Sequence, residues 1–326
     1  MTERVGPGLA GDLSHKERKR IDTQLAGIII GGIIPAVVFG GYGAMQKQCM
    51  RAGLGVAGFF LVLGATAACS GLVFRVLDPG GGLTSVAVLA AVGFAVAWAL
   101  GIGLILLAVS RYDASISQLV PLYNSATLGT VLLGLGLFSE WRDVRPLPLL
   151  LGAAAIVAGA VIVTRASRDA DAGPRHGTPS GSNRRKGLLV GGLLPALVLS
   201  VTGPMMKCSV RAGAGTGEFL ILFGVTLAAI GLGCRLWRRG GRISRAAVLT
   251  GIVTGALWAL GTGLTLLALG RLGASISQIT PLFNMNTLVV VLLGLWVFRE
   301  HQQVRPAPLL VGATAIILGA VLVAGA

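Results

Sequence analysis

The sequence predicts an all-α integral membrane protein with ten transmembrane helices, arranged as two inverted five-helix repeats. Three observations support this fold class. Of the 326 residues, 54% are hydrophobic and only 12% are charged, and the mean hydropathy is +0.83. Apolar runs of about 20 residues recur along the chain, which is the length that crosses a hydrocarbon core. The second half of the chain also repeats the first without a gap.

Ten apolar runs lie between charged or turn-rich breaks, and each is expected to be a helix because lipid offers the backbone no hydrogen-bond partner. The predicted helices of the first half are 25–45, 54–76, 85–109, 114–138 and 147–164, and those of the second half are 187–205, 214–236, 246–269, 274–298 and 308–325. The chain then divides into an N-terminal tail (1–24), a first five-helix repeat (25–164), a polar linker (165–186) and a second five-helix repeat (187–326).

The duplication extends to residues that apolar composition alone would not repeat, and roughly half of the aligned positions are identical. The corresponding pairs include Pro35 and Pro195, Lys47 and Lys207, Trp98 and Trp258, Arg111 and Arg271, and Glu140 and Glu300. Because five is odd, a half that crosses the bilayer five times leaves the second half upside down relative to the first. Inverted repeats of this kind are typical of transporters that open alternately to the two sides.

The charged residues indicate lipid rather than nucleic acid as the counterion. The formal net charge is +15, but the basic residues form short clusters between apolar runs, where anionic headgroups would meet them. With the N-terminus inside, most of the 27 Lys and Arg residues fall on the opposite side. The positive-inside rule favours the reverse orientation.

A polar phrase with a proline appears once in each half, as "ASISQLVPLYN" (114–124) and "ASISQITPLFN" (274–284). On a helix, Ser117, Pro121 and Asn124 share one narrow arc, and Gln118 flanks it. The proline also leaves a backbone carbonyl one turn earlier without its usual donor. Such an arc suits a hydroxylated solute, although bonding between neighbouring helices remains an alternative. The second half repeats the arc with Ser277, Gln278, Pro281 and Asn284.

The third helix of each half carries a tryptophan beside paired glycines, in "AWALGIG" (97–103) and "LWALGTG" (257–263). Trp98 and Trp258 lie well inside their predicted spans, which argues against a place in an interfacial belt. Their flat rings could stack on a sugar or a planar metabolite, and core packing is the alternative. We therefore add both residues to the candidate binding set.

The sequence indicates no enzyme, no catalytic residues, no cofactor and no metal site. Its three histidines and four cysteines lack ligand spacing, and no nucleophile motif or phosphate loop is present. Charge within the predicted spans is almost absent. We expect Glu140 and Glu300 to pair with loop arginines, namely Arg142 or Arg145 for the first and Arg305 for the second.

Two second-half segments carry a resemblance to a known family: "GALWALGTGLTLLALGRLGASIS" (255–277) and "NTLVVVLLGLWVFRE" (286–300). They resemble the drug/metabolite transporter superfamily (EamA-like), in its branch of glucose/ribose uptake and rhamnose-proton symport. The resemblance implies ten helices, cytoplasmic termini and a central cavity lined by the first, third and fourth helices of each half. Carried over by position, it points to Trp98, Gln118, Asn124, Trp258, Gln278 and Asn284 as cavity residues.

The expected function is that of a secondary transporter (permease) for a small polar metabolite, most simply a sugar or sugar-like solute, working by alternating access. A drug or amino-acid exporter of the same superfamily and a non-transporting membrane structural protein remain alternatives. The expected partners are the small-molecule solute and membrane lipids, with no nucleic acid, and a homodimer is left open. The expected location is the inner (plasma) membrane of a prokaryote.

Overall fold

The structure is a computed structural model, and it describes residues 22–78, 80, 82–112, 119, 122–123, 125–166, 181–237, 243–289, 292 and 306–326. These residues are almost entirely helical, and no strand occurs among them. The helices of the first half are α1 (Asp22–Arg51), α2 (Gly55–Leu77), α3 (Ser85–Tyr112), α4 (Ala126–Leu137) and α5 (Pro146–Ala166). A single 3₁₀ turn, Glu140–Arg142, joins α4 to α5.

The second half begins with an interrupted helix that we label α6. It comprises Gly181–Leu188, a π-helical segment Leu189–Leu193, Leu194–Ser200 and, after Val201, Thr202–Arg211. The first residues of α6 belong to the predicted linker, so the linker is helical at its end. The remaining helices are α7 (Thr216–Trp237), α8 (Arg245–Arg271), α9 (Ile276–Phe283) and α10 (Pro306–Ala324).

Eight of the described helices are long and apolar enough to cross a membrane: α1, α2, α3, α5, α6, α7, α8 and α10. Their length and composition indicate an integral membrane protein. The helix α4 is also apolar but shorter. The predicted helices 114–138 and 274–298 are described only in part, as α4 and α9 with a few neighbouring residues.

Proline shapes the first helix of each half in the same way. The helix α1 becomes π-helical over Ile29–Ile33, just before Pro35, and α6 does so over Leu189–Leu193, just before Pro195. Proline lacks an N–H donor and its ring crowds the carbonyl four residues earlier, so the preceding turn cannot keep ordinary α-helical bonds. The duplicated prolines therefore give two duplicated backbone irregularities.

Glycines allow α2 and α7 to pack backbone against backbone. A Cβ placed on Gly64 would lie 2.4 Å from the nitrogen of Ala228, and one placed on Gly71 would lie 2.8 Å from the carbonyl oxygen of Gly217. Later residues of α2 therefore contact earlier residues of α7, so the two helices are antiparallel. A side chain at either glycine would push two helix backbones apart.

The other close helix pairs also join the two halves. The helix α5 packs on α10, where a Cβ on Gly159 would lie 2.6 Å from the carbonyl oxygen of Gly312. The helix α1 packs on α8, α3 on α6, and α4 on α9. An extensive apolar core lies between α2, α3, α7 and α8, and its largest buried side chains include Phe59, Phe219 and Phe223. The two halves are thus interleaved rather than side by side.

Candidate functional site

The helix α9 carries the second copy of the polar phrase and is the most enclosed of the short helices. It packs against α1, α4, α5, α6 and α10, and Ile276 to Ile279, Pro281 and Leu282 are all buried. Pro281 stands inside the helix, so the carbonyl of Ser277 loses its usual donor. Beyond Phe283 the chain turns through hydrogen bonds of shorter span, such as Asn284 N–H to the Pro281 carbonyl at 3.1 Å.

Two polar groups on α9 are buried without a hydrogen-bond partner among the described residues. They are the amide Nε2 of Gln278, which is 2% exposed, and the hydroxyl Oγ of Ser277, which is 0% exposed and lies beside the Glu140 carboxylate without a well-aligned hydrogen bond to it. We call them the open polar groups. Leaving such a group unsatisfied in a protein interior costs about 1–3 kcal/mol. A bound water or solute with hydroxyl groups would remove that cost.

Asn284, another predicted binding residue, joins the two halves of the chain. Its amide Nδ2 donates to the hydroxyl of Thr127 on α4 at 2.7 Å, and both side chains are buried. This contact fits the alternative of bonding between helices. The side-chain Oδ1 of Asn284 could still serve a ligand.

The first-half members of the predicted set, Ser117, Gln118 and Asn124, lie outside the described residues. Their roles stay predictions from the sequence. Pro121 lies outside them as well.

The structure brings Trp98 and Trp258 together in the aromatic part of the core. Their ring centroids are 5.8 Å apart in an edge-to-face arrangement. Trp258 stacks on Phe223 with centroids 4.0 Å apart, and it is only 5% exposed. Trp98 is partly exposed. One face of Trp258 is therefore already covered by Phe223, and Trp98 is the more accessible of the two rings.

Glu140 lies at the N-terminal end of α9, although it belongs to the other half of the chain. Its carboxylate accepts the backbone N–H of Ile276 at 3.0 Å and the backbone N–H of Ser277 at 2.9 Å. It also forms an ion pair with the ammonium of Lys207 on α6. Glu140 is 1% exposed and Lys207 is 7% exposed. A carboxylate in this position satisfies free N–H donors and complements the positive end of the helix dipole.

Burial alone would raise the pKa of Glu140, but the charge of Lys207 and the hydrogen bond from Ser277 outweigh burial and hold that pKa below its usual range. Glu140 is therefore ionised at neutral pH. The prediction that Glu140 pairs with Arg142 or Arg145 is wrong. Arg145 instead donates to the carbonyl oxygen of Gly325 at 2.5 Å, while Glu300 and Arg305 lie outside the described residues.

A second polar cluster lies between the ends of α2, α7 and α8. Asp78 accepts from the hydroxyl of Thr216 at 2.8 Å and from Nε of Arg271 at 2.8 Å. Burial would raise the pKa of Asp78, but the bonds from Arg271 and Thr216 lower it below its usual range. Glu218 is buried nearby, with Oε1 3.6 Å from Nε of the exposed Arg75.

Sequence reasoning did not identify Lys207 as a functional residue, although a signal was present. Glu140 and Glu300 are the only acidic residues that the two halves repeat, and Lys47 and Lys207 are the only repeated lysines. A repeated acid in an otherwise apolar repeat suggests a repeated basic partner, because an ionised carboxylate at a membrane helix end is costly unless it is paired.

Comparisons with known proteins support the fold without supplying a function. No protein-family model matches the chain, and no curated protein matches it significantly. A solved crystal structure of a protein matches with a TM-score of 0.63 and 16% identity, over 92% of this chain and 97% of the other. At that level of identity the likeness indicates a shared fold alone.

Proposed function

We propose that this protein is a secondary transporter of a small polar metabolite, a sugar or sugar-like solute, in the inner membrane of a prokaryote. The observation that carries the proposal is the pair of open polar groups on α9, buried where helices of both halves meet. Membrane proteins bury polar groups sparingly, and groups near a helix break with no protein partner suit a solute.

The pattern of helix contacts supports two inverted repeats that can exchange roles. The approach of Gly71 to Gly217 has a counterpart in the approach of Gly231 to Ala57, and the alignment of the halves converts one contact into the other. Equivalent helices that meet antiparallel in this way are expected of ten spans related by a two-fold axis in the membrane plane. Such an arrangement has two equivalent conformations, which is the basis of alternating access.

The proposed site would bind its solute through uncharged groups. The open polar groups would replace water on a solute hydroxyl, and Asn284 would accept through Oδ1. No full charge takes part directly in these contacts. We therefore expect solute affinity to depend little on ionic strength.

Counterflow in liposomes tests the proposal. The purified protein is reconstituted, and the exchange of labelled sugars, amino acids and cationic dyes is measured against empty vesicles. We expect exchange of a sugar or polyol, and its loss in Gln278→Ala. Thr250→Ala is the matched control, because Thr250 donates only to carbonyls of its own helix.

Each other outcome has a definite meaning. Exchange of dyes or amino acids without sugars would assign the chain to export of those solutes. Absence of exchange for every solute under every gradient would favour a structural role in the membrane. Sugar exchange that is unchanged in Gln278→Ala would move the binding site away from α9.

A further inference from the structure

The contacts of Glu140 lie at one end of the helix bundle, and that end is closed by bonds between chain segments from both halves. Asp78 follows α2 and binds Thr216 at the start of α7 and Arg271 at the end of α8. The hydroxyl of Thr84, before α3, donates to the carbonyl oxygen of Ala212 after α6 at 2.8 Å. We call this the sealed end.

Within the sealed end, Glu140 holds together three helices that any opening would separate. Glu140 is linked to α4 by two residues, its ion-pair partner Lys207 is on α6, and its backbone donors, Ile276 and Ser277, begin α9. The helix α4 belongs to the first half, and α6 and α9 belong to the second. A rocking motion of one half against the other therefore cannot open this end without breaking the ion pair or the two backbone bonds.

The open polar groups lie directly behind these bonds. Ser277 gives its backbone N–H to Glu140, while its own hydroxyl is one of the open polar groups, and Gln278 is the next residue. The carboxylate thus covers the first turn of the helix that carries the proposed site. Removing it would expose that turn to the water at the sealed end.

Because the Glu140–Lys207 ion pair is buried, it should be either intact or fully separated. The Lys207 ammonium lies 5.4 Å from the centre of the Phe138 ring, and the Arg211 guanidinium lies 4.8 Å from it, so the pair is enclosed by an aromatic ring as well as by helices. A buried ion pair that is half broken leaves a charge without compensation, which costs more than either the intact pair or two hydrated ions. Intermediate separations are therefore disfavoured.

We infer that Glu140, Lys207 and the backbone N–H groups of Ile276 and Ser277 form a latch that closes one end of the solute path. The inference rests on the proposed transport function and adds the residues that control access to its site. Release of the latch admits water and solute to the open polar groups, and re-formation of the latch excludes them. Glu140 and Lys207 are positioning residues in this scheme, since neither contacts the solute.

A reversible disulfide tests the latch while keeping Glu140 and Lys207 in place. A Cβ on Gly203 of α6 would lie 3.7 Å from Cβ of Thr130 on α4, within the Cβ separation of about 3.5–4.5 Å in disulfides, and neither residue belongs to the proposed binding site. Thr130→Cys/Gly203→Cys, which locks together the two helices that the ion pair joins, is made in a background without the native cysteines, which are Cys49, Cys69, Cys208 and Cys234. Oxidation should lower counterflow at least about tenfold, and a reductant should restore it. Equal counterflow before and after complete cross-linking would overturn the latch.

Thiol labelling gives a readout that needs no transported solute. Gln278→Cys is made in the same background, and its reaction with a membrane-impermeant maleimide is timed from each face. Adding Glu140→Gln/Lys207→Met, which removes both charges together, should accelerate labelling from one face at least about tenfold. Adding Arg75→Gln, at the same sealed end, should not.

The two readouts separate failure of the latch from failure of the proposed function. Unchanged labelling in Glu140→Gln/Lys207→Met, with a monodisperse protein on size exclusion, would overturn the latch whatever the transport assay gives. If that double variant is not monodisperse, the oxidised and reduced disulfide protein decides instead, by labelling of Gln278→Cys added to it. A latch that controls labelling in a protein that moves no solute would leave the gating intact and overturn the transport proposal.

Discussion

The Glu140–Lys207 pair and the Asp78–Arg271 pair both lie at the sealed end. They differ in how deeply they are buried and in whether both of their residues recur in the other half of the sequence. Both members of the first pair are almost fully buried, whereas the Arg271 side chain is 63% exposed. Glu140 and Lys207 also recur in the other half of the sequence. Asp78 does not, because Arg238 stands at the corresponding position, and Val56 corresponds to its partner Thr216.

This difference separates two kinds of contact. A contact whose residues are duplicated is available to both halves of an inverted repeat, so it can take part in a cycle that closes each end in turn. A contact present in one half can only favour one conformation of the proposed transport cycle over the other. We therefore expect the Glu140 pair to control access to α9 and the Asp78 pair to add stability to the conformation described here.

The largest effect should come from Lys207→Met, which leaves the Glu140 carboxylate buried without its counter-charge. Breaking a buried pair from one side typically costs about 3–5 kcal/mol, and we expect a loss of this order in the free energy of unfolding. Adding Glu140→Gln should recover much of it, because the side-chain amide oxygen can still accept an α9 N–H and no charge remains. Unfolding in detergent, followed by tryptophan fluorescence, measures both variants.

The matched control for that measurement is Lys186→Met, which removes an exposed lysine from the same helix and should be nearly neutral. Equal losses in Lys207→Met and in the double variant would mean that the lysine stem, and not the charge, matters for packing.

A smaller loss in the free energy of unfolding is expected from Asp78→Asn. The amide can still accept the Thr216 hydroxyl, but it loses the charge-assisted bonds from Arg271, which are worth about 1–3 kcal/mol. Exposure of Arg271 places the cost at the lower end, since water can replace the lost partner. Thiol labelling distinguishes the two pairs further. Gln278→Cys should still react slowly with the maleimide when Asp78→Asn is added to it. Fast labelling would place Asp78 in the latch.

Much of this architecture could be predicted from the sequence. The length of an apolar run is a property of one segment, and the duplication is visible when the two halves are aligned. The predicted spans 54–76 and 246–269 agree with α2 and α8 to within a few residues. The π-helical segments before Pro35 and Pro195 were not predicted, although the sequence showed that both prolines are duplicated. Solute transport, the family resemblance and the full set of ten spans stay predictions.

The partners of the charged residues could not be predicted in the same way. Arg142 and Arg145 are near Glu140 in the chain, whereas Lys207 is in the other half, so proximity in sequence favoured the wrong partner. The decisive fact is that α6 ends and α9 begins beside the end of α4, which is a property of the whole packing. Likewise, nothing in a single tryptophan-containing helix indicates that Phe223 covers one face of Trp258.

Acid should weaken both ion pairs by protonating their carboxylates. Between pH 7 and pH 5 the resulting loss of stability should be smaller than the loss caused by Lys207→Met or Asp78→Asn. The pKa values of Glu140 and Asp78 in the folded protein are lowered from ordinary values of 4.5 and 3.8. Each group therefore stabilises the fold above its unfolded pKa, and that contribution is lost only as pH falls through the lowered folded value. We expect a nearly flat unfolding temperature from pH 7 to 5 and a decline below pH 4.

The pH series separates the two pairs when it is repeated in the variants. The acid decline should become shallower in Glu140→Gln/Lys207→Met and in Asp78→Asn, because each lacks one carboxylate with a lowered pKa. An unchanged decline in both variants would assign the acid sensitivity to other groups.

The smallest effect should come from Arg75→Gln, which tests whether charge at the sealed end matters in general or only where it is buried. The Arg75 side chain is 59% exposed, and its Nε lies 3.6 Å from Oε1 of Glu218, too far for a well-formed hydrogen bond. Exposed pairs of this kind contribute about 0–1 kcal/mol, so the unfolding free energy should change by no more than that. Raising the salt concentration should abolish even this difference, whereas the cost of Lys207→Met should persist in high salt because a buried pair is poorly screened. A loss in Arg75→Gln as large as that in Lys207→Met would contradict the distinction between the two kinds of pair, since exposure would then have no bearing on the energy of a charge at this end.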